Sequence, residues 1–198
     1  MSVFDPHFQS EDLDSKILAT LERIAESFRV ALWNTGKDTG LSPIQIQILL
    51  FIRYHAPHLC KISRLAVEFN MTKATVSDAV KTLVQKNLVD KITEIHDNRS
   101  QIIRLTESGK QMSEKIDSYA TPLLQPLTHF SAIQKEAFYA ILLQYLGRLV
   151  TQGVLNPQRN CFSCRYLAKE EQSFYCKYFK MPLQSKELRV DCPEHVGM

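Results

Sequence analysis

The stretch LAVEFNMTKATVSDAVKTLVQKNLVDKI, residues 65–92, decides the fold. Within it Val76, Ala79, Val80 and Leu83 fall at i, i+3, i+4 and i+7, which draws one apolar face on a helix. The spacing predicts a helix over residues 72 to about 86. Ahead of it ISRLAVEF, residues 62–69, reads as a shorter helix, and Asn70-Met71 as the break between the two. Behind it lie two β-prone runs, residues 88–92 and 101–105, around a polar tip at 96–100, which predicts a hairpin. Helix, turn, helix and hairpin, in that order, make a winged helix–turn–helix. In such a unit the first helix braces the second, and the second offers its polar N-terminal end to the major groove of DNA.

The residues at that end have the right chemistry. A helix N-terminus carries partial positive charge and free N–H groups that favour phosphate. Thr72, Lys73, Thr75 and Ser77 crowd it, with Lys81 one turn further on. These side-chain types bond phosphates and base edges. Arg99, at the predicted hairpin tip, suits a narrow minor groove. Asp97 is placed to orient that guanidinium through charge-assisted hydrogen bonds. Charge distribution agrees. Residues 1–60 hold five basic and seven acidic groups, whereas residues 61–110 hold nine and six. The net charge of +3 would not by itself imply a nucleic-acid partner.

Outward from the centre, the chain reads as long amphipathic helices. Leu13, Ile17, Leu21, Ile24, Phe28 and Ala31 mark one over residues 12–36, with Thr35-Gly36 and Thr39-Gly40 as its stop. Ser42-Pro43 opens the next, which ends before Pro57. Thr106-Glu107-Ser108-Gly109 opens another, running to about residue 119, where Pro122 and Pro126 interrupt it. The last spans roughly residues 132–151, with Ala137, Phe138, Ile141, Leu142, Tyr145, Leu146 and Leu149 on its apolar face. No other large element is available to bury the first and last stripes, so a second subunit is the expected cover.

The residues quoted at the outset, followed by DNRSQIIRLTESGK (97–110), resemble the MarR family of multiple-antibiotic-resistance regulators. The specific elements are MTKATVS, the following leucines, D-x-R and LTxxG, and the resemblance covers roughly residues 12–152. It implies a homodimer with interlocked N- and C-terminal helices and one winged domain per subunit. It also implies repression of transcription, often relieved by a small-molecule effector or an oxidant acting between the dimerisation and DNA-binding parts. The fold class expected is therefore mainly α with a small β-hairpin wing. Residues 1–40 and 107–152 form dimerisation helices, 41–106 the DNA-binding domain, and 153–198 a small cysteine-rich tail. One departure stands out. After Thr75-Val76-Ser77 the family often has a basic residue, and here it is Asp78. A carboxylate there repels phosphate or accepts from cytosine N4, so base preference does not carry over from relatives.

The resemblance does not reach the tail. Four of the five cysteines fall in the last 38 residues, as Cys161-x2-Cys164-x11-Cys176-x15-Cys192-Pro193-Glu194-His195. Such clustering in a reducing compartment points to metal rather than disulfides. Cys161, Cys164, Cys176 and Cys192 are the expected ligands, with His195 as a substitute. Zinc is the expected ion, acting as a structural staple for a segment too short to build its own core. The alternative is an iron–sulfur cluster, since the Cys-Pro pair also occurs at such ligands, and that would make the tail a metal- or redox-responsive sensor. Cys60 stands apart between two helices and reads as a buried, inert thiol.

Other classes are disfavoured. The longest apolar run has seven residues, 137–143, against the roughly 18 of a membrane span. The acidic N-terminus has no apolar core of a signal peptide, so a cytoplasmic location without membrane contact is expected. There is no phosphate loop, nucleophile elbow or H-E-x-x-H, and Glu194 near Cys192 is weak evidence for a general base, so an enzyme is not expected.

Overall fold

Four apolar faces meet at the centre of the chain, and their meeting sets the architecture. The structure, a computed structural model, describes residues 2–94, 97–169 and 173–197. Helix α3 (Pro43–Tyr54) buries Ile46, Ile48, Leu49, Phe51 and Ile52. Helix α4 (Ile62–Glu68) adds Leu65 and Ala66, and α5 (Lys73–Gln85) adds Val76, Ala79, Val80 and Leu83, the four positions the periodicity selects. Strands β1 (Val89–Glu94) and β2 (Asp97–Leu105) close the group with Val89 and Ile103. The pair is antiparallel from Val89↔Leu105, with a register shift between Thr93 and Glu94.

The strands run further than the sequence suggests. Asp97 and its neighbours pair as the start of β2 rather than forming the turn. The side chains of Asp97 and Arg99, and the whole of His96, lie outside the described residues. The wing is also tied inward, because the Ile103 N–H donates to the Cys60 carbonyl at 2.8 Å.

The LTxxG element has a steric cause. Helix α6 (Glu107–Ile116) starts at an N-cap, Thr106, whose hydroxyl accepts from the Gly109 N–H at 3.0 Å and donates to the Asn87 carbonyl at 2.7 Å. A Cβ on Gly109 would sit 1.8 Å from the Leu88 carbonyl oxygen. Only glycine lets α6 cross the α5–β1 turn this closely.

The flanking helices behave differently. A short α1 (Pro6–Glu11), absent from the sequence expectation, precedes α2 (Leu13–Thr39). Helix α2 passes straight through Thr35-Gly36 and stops only at Gly40, which takes the left-handed conformation at φ 67°. A Cβ at Gly36 would meet the Leu41 carbonyl at 2.5 Å, so this glycine serves the returning chain rather than a helix stop. After α6 the chain continues in 3-10 turns around a short α7 (Thr121–Leu124), as Pro122 and Pro126 require. Helix α8 (Ala132–Thr151) follows, with Ser131 and Gln134 capping each other. Within the protomer α2 buries only Ser15 and Leu32, and α8 buries only Leu143.

The tail is a folded layer on α8. Strands β3 (Leu167–Lys169), β4 (Phe174–Cys176) and β5 (Met181–Leu183) form an antiparallel sheet. Its apolar cluster is small: Leu143, Cys161 and Leu188, with Tyr139, Phe162 and Leu183 half-buried around them. The Tyr139 hydroxyl donates to the Leu188 carbonyl at 2.5 Å.

Candidate nucleic-acid interface and the cysteine cavity

Four of the predicted DNA-facing residues, Thr72, Lys73, Thr75 and Ser77, lie at the N-terminal end of α5, with Lys81 one turn beyond Ser77. Thr72 is the N-cap, and its hydroxyl accepts from the Thr75 N–H at 3.1 Å. The Thr72 and Thr75 hydroxyls lie 2.8 Å apart. Thr72, Lys73, Thr75 and Lys81 are exposed and Ser77 is half-buried, while Val76, Ala79 and Val80 hold the opposite face in the core. Burial of one face thus fixes the outward aim of the other. Asp78 is exposed on the same helix. At the far end, the Lys86 ammonium donates to the Gly40 carbonyl at 3.0 Å and pins α5 to the end of α2.

Cys60 is 1% exposed, and burial pushes its thiol up to about 11. Its Sγ lies 3.6 Å from the Ala56 carbonyl. The thiol is therefore protonated at neutral pH and shielded from reagents.

The tail gathers what the sequence scatters. Cys161, Cys164, Cys176 and Cys192 all line one cavity of about 230 Å³. Its apolar wall includes Tyr178, Phe179, Met181 and Leu183. Three of the four sulfurs receive N–H donors: Arg189 N to Cys161 at 3.1 Å, Phe179 N to Cys176 at 3.5 Å, and the Arg189 guanidinium to Cys192 at 3.8 Å. That guanidinium also sits 4.7 Å over the Phe179 ring. Burial raises the Cys161 thiol, the Arg189 N–H bond opposes this, and the other three cysteines add to the rise. Burial is the main cause of the rise, and the charge of the neighbouring cysteines a smaller one.

Two observations bear on the expected metal ligands. Among the described residues, no three His, Cys, Asp or Glu side chains are arranged to hold a single metal ion. His195 does not line the cavity; its Nε2 is 2.9 Å from the Ser163 hydroxyl, and burial lowers its pKa. That contact ties His195 to the Cys161–Cys164 loop. Glu194 hydrogen-bonds Tyr178, and its charge holds that phenol protonated above the usual range.

Sequence reading missed a bridge from the tail to the winged helix. Asp191, next to Cys192, lies 2.7 Å from His55 Nε2 at the end of α3 and accepts from the Arg159 guanidinium at 2.7 and 2.9 Å. Arg159 also reaches Glu68 of α4 at 3.7 Å and lies 5.0 Å over the Phe51 ring, on which His55 stacks. The Asn156 amide donates to the Asn70 side chain at 2.7 Å, in the turn between α4 and α5. No local pattern signals pairs this far apart in the chain.

The fold so built is a winged helix–turn–helix between long helices. Residues 39–100 match the sequence model of the MarR family, a family of DNA-binding regulators rather than enzymes. The match covers the central third of the chain, where the winged helix lies. A curated relative, an uncharacterized HTH-type transcriptional regulator of Bacillus subtilis called YdgG, is 35% identical over 80 residues, or 39% of this chain. The chain spans about half of that relative's length, 51%. Among solved structures, the S. aureus MepR–DNA complex superposes with a TM-score of 0.60 at 22% identity, over 66% of this chain and 96% of that one. A MarR protein from Peptoclostridium difficile gives 0.62 at 19%, over 72% and 92%. A MarR-family regulator from Silicibacter pomeroyi gives 0.60 at 19%, over 70% and 92%. These likenesses show the mainly helical fold with its small β-hairpin. Among the described residues no helix is long and apolar enough to cross a membrane.

Proposed function

We propose that this chain is a homodimeric, sequence-specific DNA-binding regulator of transcription, acting as a cytoplasmic repressor. The observation that carries the proposal is the two-sidedness of α5: a buried apolar face, and exposed positions bearing Thr72, Lys73, Thr75 and Lys81. MepR, whose fold is similar, was solved with DNA. Lys73 and Lys81 would neutralise phosphates, Thr75 and Ser77 would meet base edges, and Arg99 of the wing, oriented by Asp97, would enter the minor groove.

The dimer rests on apolar surface that the protomer leaves uncovered. On α2 Leu13, Ile17, Phe28 and Trp33 are exposed, and on α8 Ile133 and Ile141 are 81% and 65% exposed. A second copy covers both helices at once, as the resemblance implies. An effector would enter the cleft of about 780 Å³ between the end of α3 and the wing, lined by Arg53, Cys60, Arg104 and Glu114. The tail cysteines would hold a metal centre beside this regulatory unit.

The test is a titration of the full chain with labelled DNA from the neighbouring promoter and with scrambled DNA, at several salt concentrations. The expected result is preference for a near-palindromic site and affinity that falls steeply with salt. Equal affinity for scrambled DNA, or a monomer by analytical ultracentrifugation, overturns the reading.

A further inference from the structure

A single tetrahedral zinc draws its ligands together. With Zn–S near 2.3 Å, four thiolates stand at most about 3.8 Å apart. The tail does not have that form. No three described His, Cys, Asp or Glu side chains form a single-ion site, yet all four cysteines face the same cavity of about 230 Å³. The thiols surround a volume rather than a point.

Three other features suit a larger, anionic guest. Tyr178, Phe179, Met181 and Leu183 give the cavity an apolar wall, on which Arg189 stands with Glu187 and Glu194. Backbone N–H groups of Arg189 and Phe179 point at Cys161 and Cys176. The Arg189 guanidinium, braced on Phe179, lies against Cys192 and supplies positive charge. Hydrogen bonds to sulfur and nearby charge are among the protein's means of holding and tuning an iron–sulfur cluster.

We propose that Cys161, Cys164, Cys176 and Cys192 bind an iron–sulfur cluster, releasing four thiol protons as the four Fe–S bonds form. The cluster fixes the tail in the shape that grips the winged helix. Cys192 donates its N–H to the Arg159 carbonyl at 2.9 Å, and Asp191 beside it holds His55 and Arg159. Arg159 in turn reaches Glu68 on α4, the helix that braces α5. Loss of the cluster frees this clamp and weakens DNA binding. The coupling half rests on the DNA-binding reading proposed above; the cluster half does not.

The experiment is anaerobic purification of the full chain, with reconstitution from ferrous iron, sulfide and thiol where needed. Metal, acid-labile sulfide and visible absorption are then measured. The expected result is a brown protein with iron and sulfide in equal amounts, two or more of each per chain. Cys161→Ser and Cys176→Ser should lose the colour while far-ultraviolet circular dichroism keeps the helical signal. A colourless protein holding one zinc per chain, unchanged by reconstitution, overturns the proposal, as does iron retained undiminished in both variants. DNA affinity of loaded and stripped protein is read separately, and a drop of about fivefold or more on stripping is expected. Equal affinity removes the coupling and leaves the cluster; absence of specific DNA binding in both forms overturns the regulatory reading and leaves the cluster assignment to the metal analysis.

Discussion

The winged helix and the tail are held together by different physics. The former buries twelve residues on α3, α4 and α5 alone, all but Gln45 aliphatic or aromatic. The tail has a buried apolar cluster of three, and one of those, Leu143, belongs to α8. A large apolar core needs no ligand to fold. A segment of 38 residues has too little interior, and its four thiols line a cavity. On the reading proposed for the tail, one chain carries a unit stable by burial and a unit that depends on a guest. Each can then be perturbed while the other reports.

The largest effect is expected from breaking the burial-held side. Leu83→Ala removes a fully buried side chain from α5 and should cost about 2–5 kcal/mol, seen as a lower midpoint in urea unfolding. Next comes Gly109→Ala. Its Cβ would enter the Leu88 carbonyl, so α6 must shift, with a loss of about 1–3 kcal/mol in the same assay. If either variant unfolds at the wild-type midpoint, the winged helix is not the rigid half of the comparison. Thr72→Ala removes the N-cap and should cost about 1 kcal/mol, together with weaker DNA binding.

Metal removal sharpens the contrast from the other side. A chelator should expose residues 153–197 to limited proteolysis while the fragment holding 41–106 survives. Equal protection of the tail with and without chelator would mean that its small cluster suffices. The smallest effect concerns Cys60. Its thiol is raised from 9.0 to about 11, so the fold favours the neutral form. Stability should be flat with respect to this group below about pH 9 and fall between pH 9 and about 11, as the unfolded thiol ionises first. At neutral pH an alkylating reagent should leave Cys60 unmodified; rapid labelling there would contradict its burial.

Much of the winged helix was legible in residue order. The i, i+3, i+4, i+7 set on α5 is local, and so is the Thr106 cap before Gly109. The wing's extent was not, because strand length depends on pairing across the hairpin. Nor was the course of α2 through Gly36, where the cost of glycine is met by a close approach to Leu41 some residues later. In the tail the cysteines were visible, but their separation in space was not. Spacing states that four thiols are available and leaves open whether they close on an ion or line a chamber.

The sequence alone determined the central unit, because helix period, cap residues and turn glycines act between neighbours in the chain and carry their geometry with them. Only the tertiary structure decided how the tail sits. The Asp191–His55 contact joins residues 136 apart, and the Arg159–Asp191 pair joins residues 32 apart. Contacts over such intervals depend on where folded elements come to rest, and no local preference encodes that position.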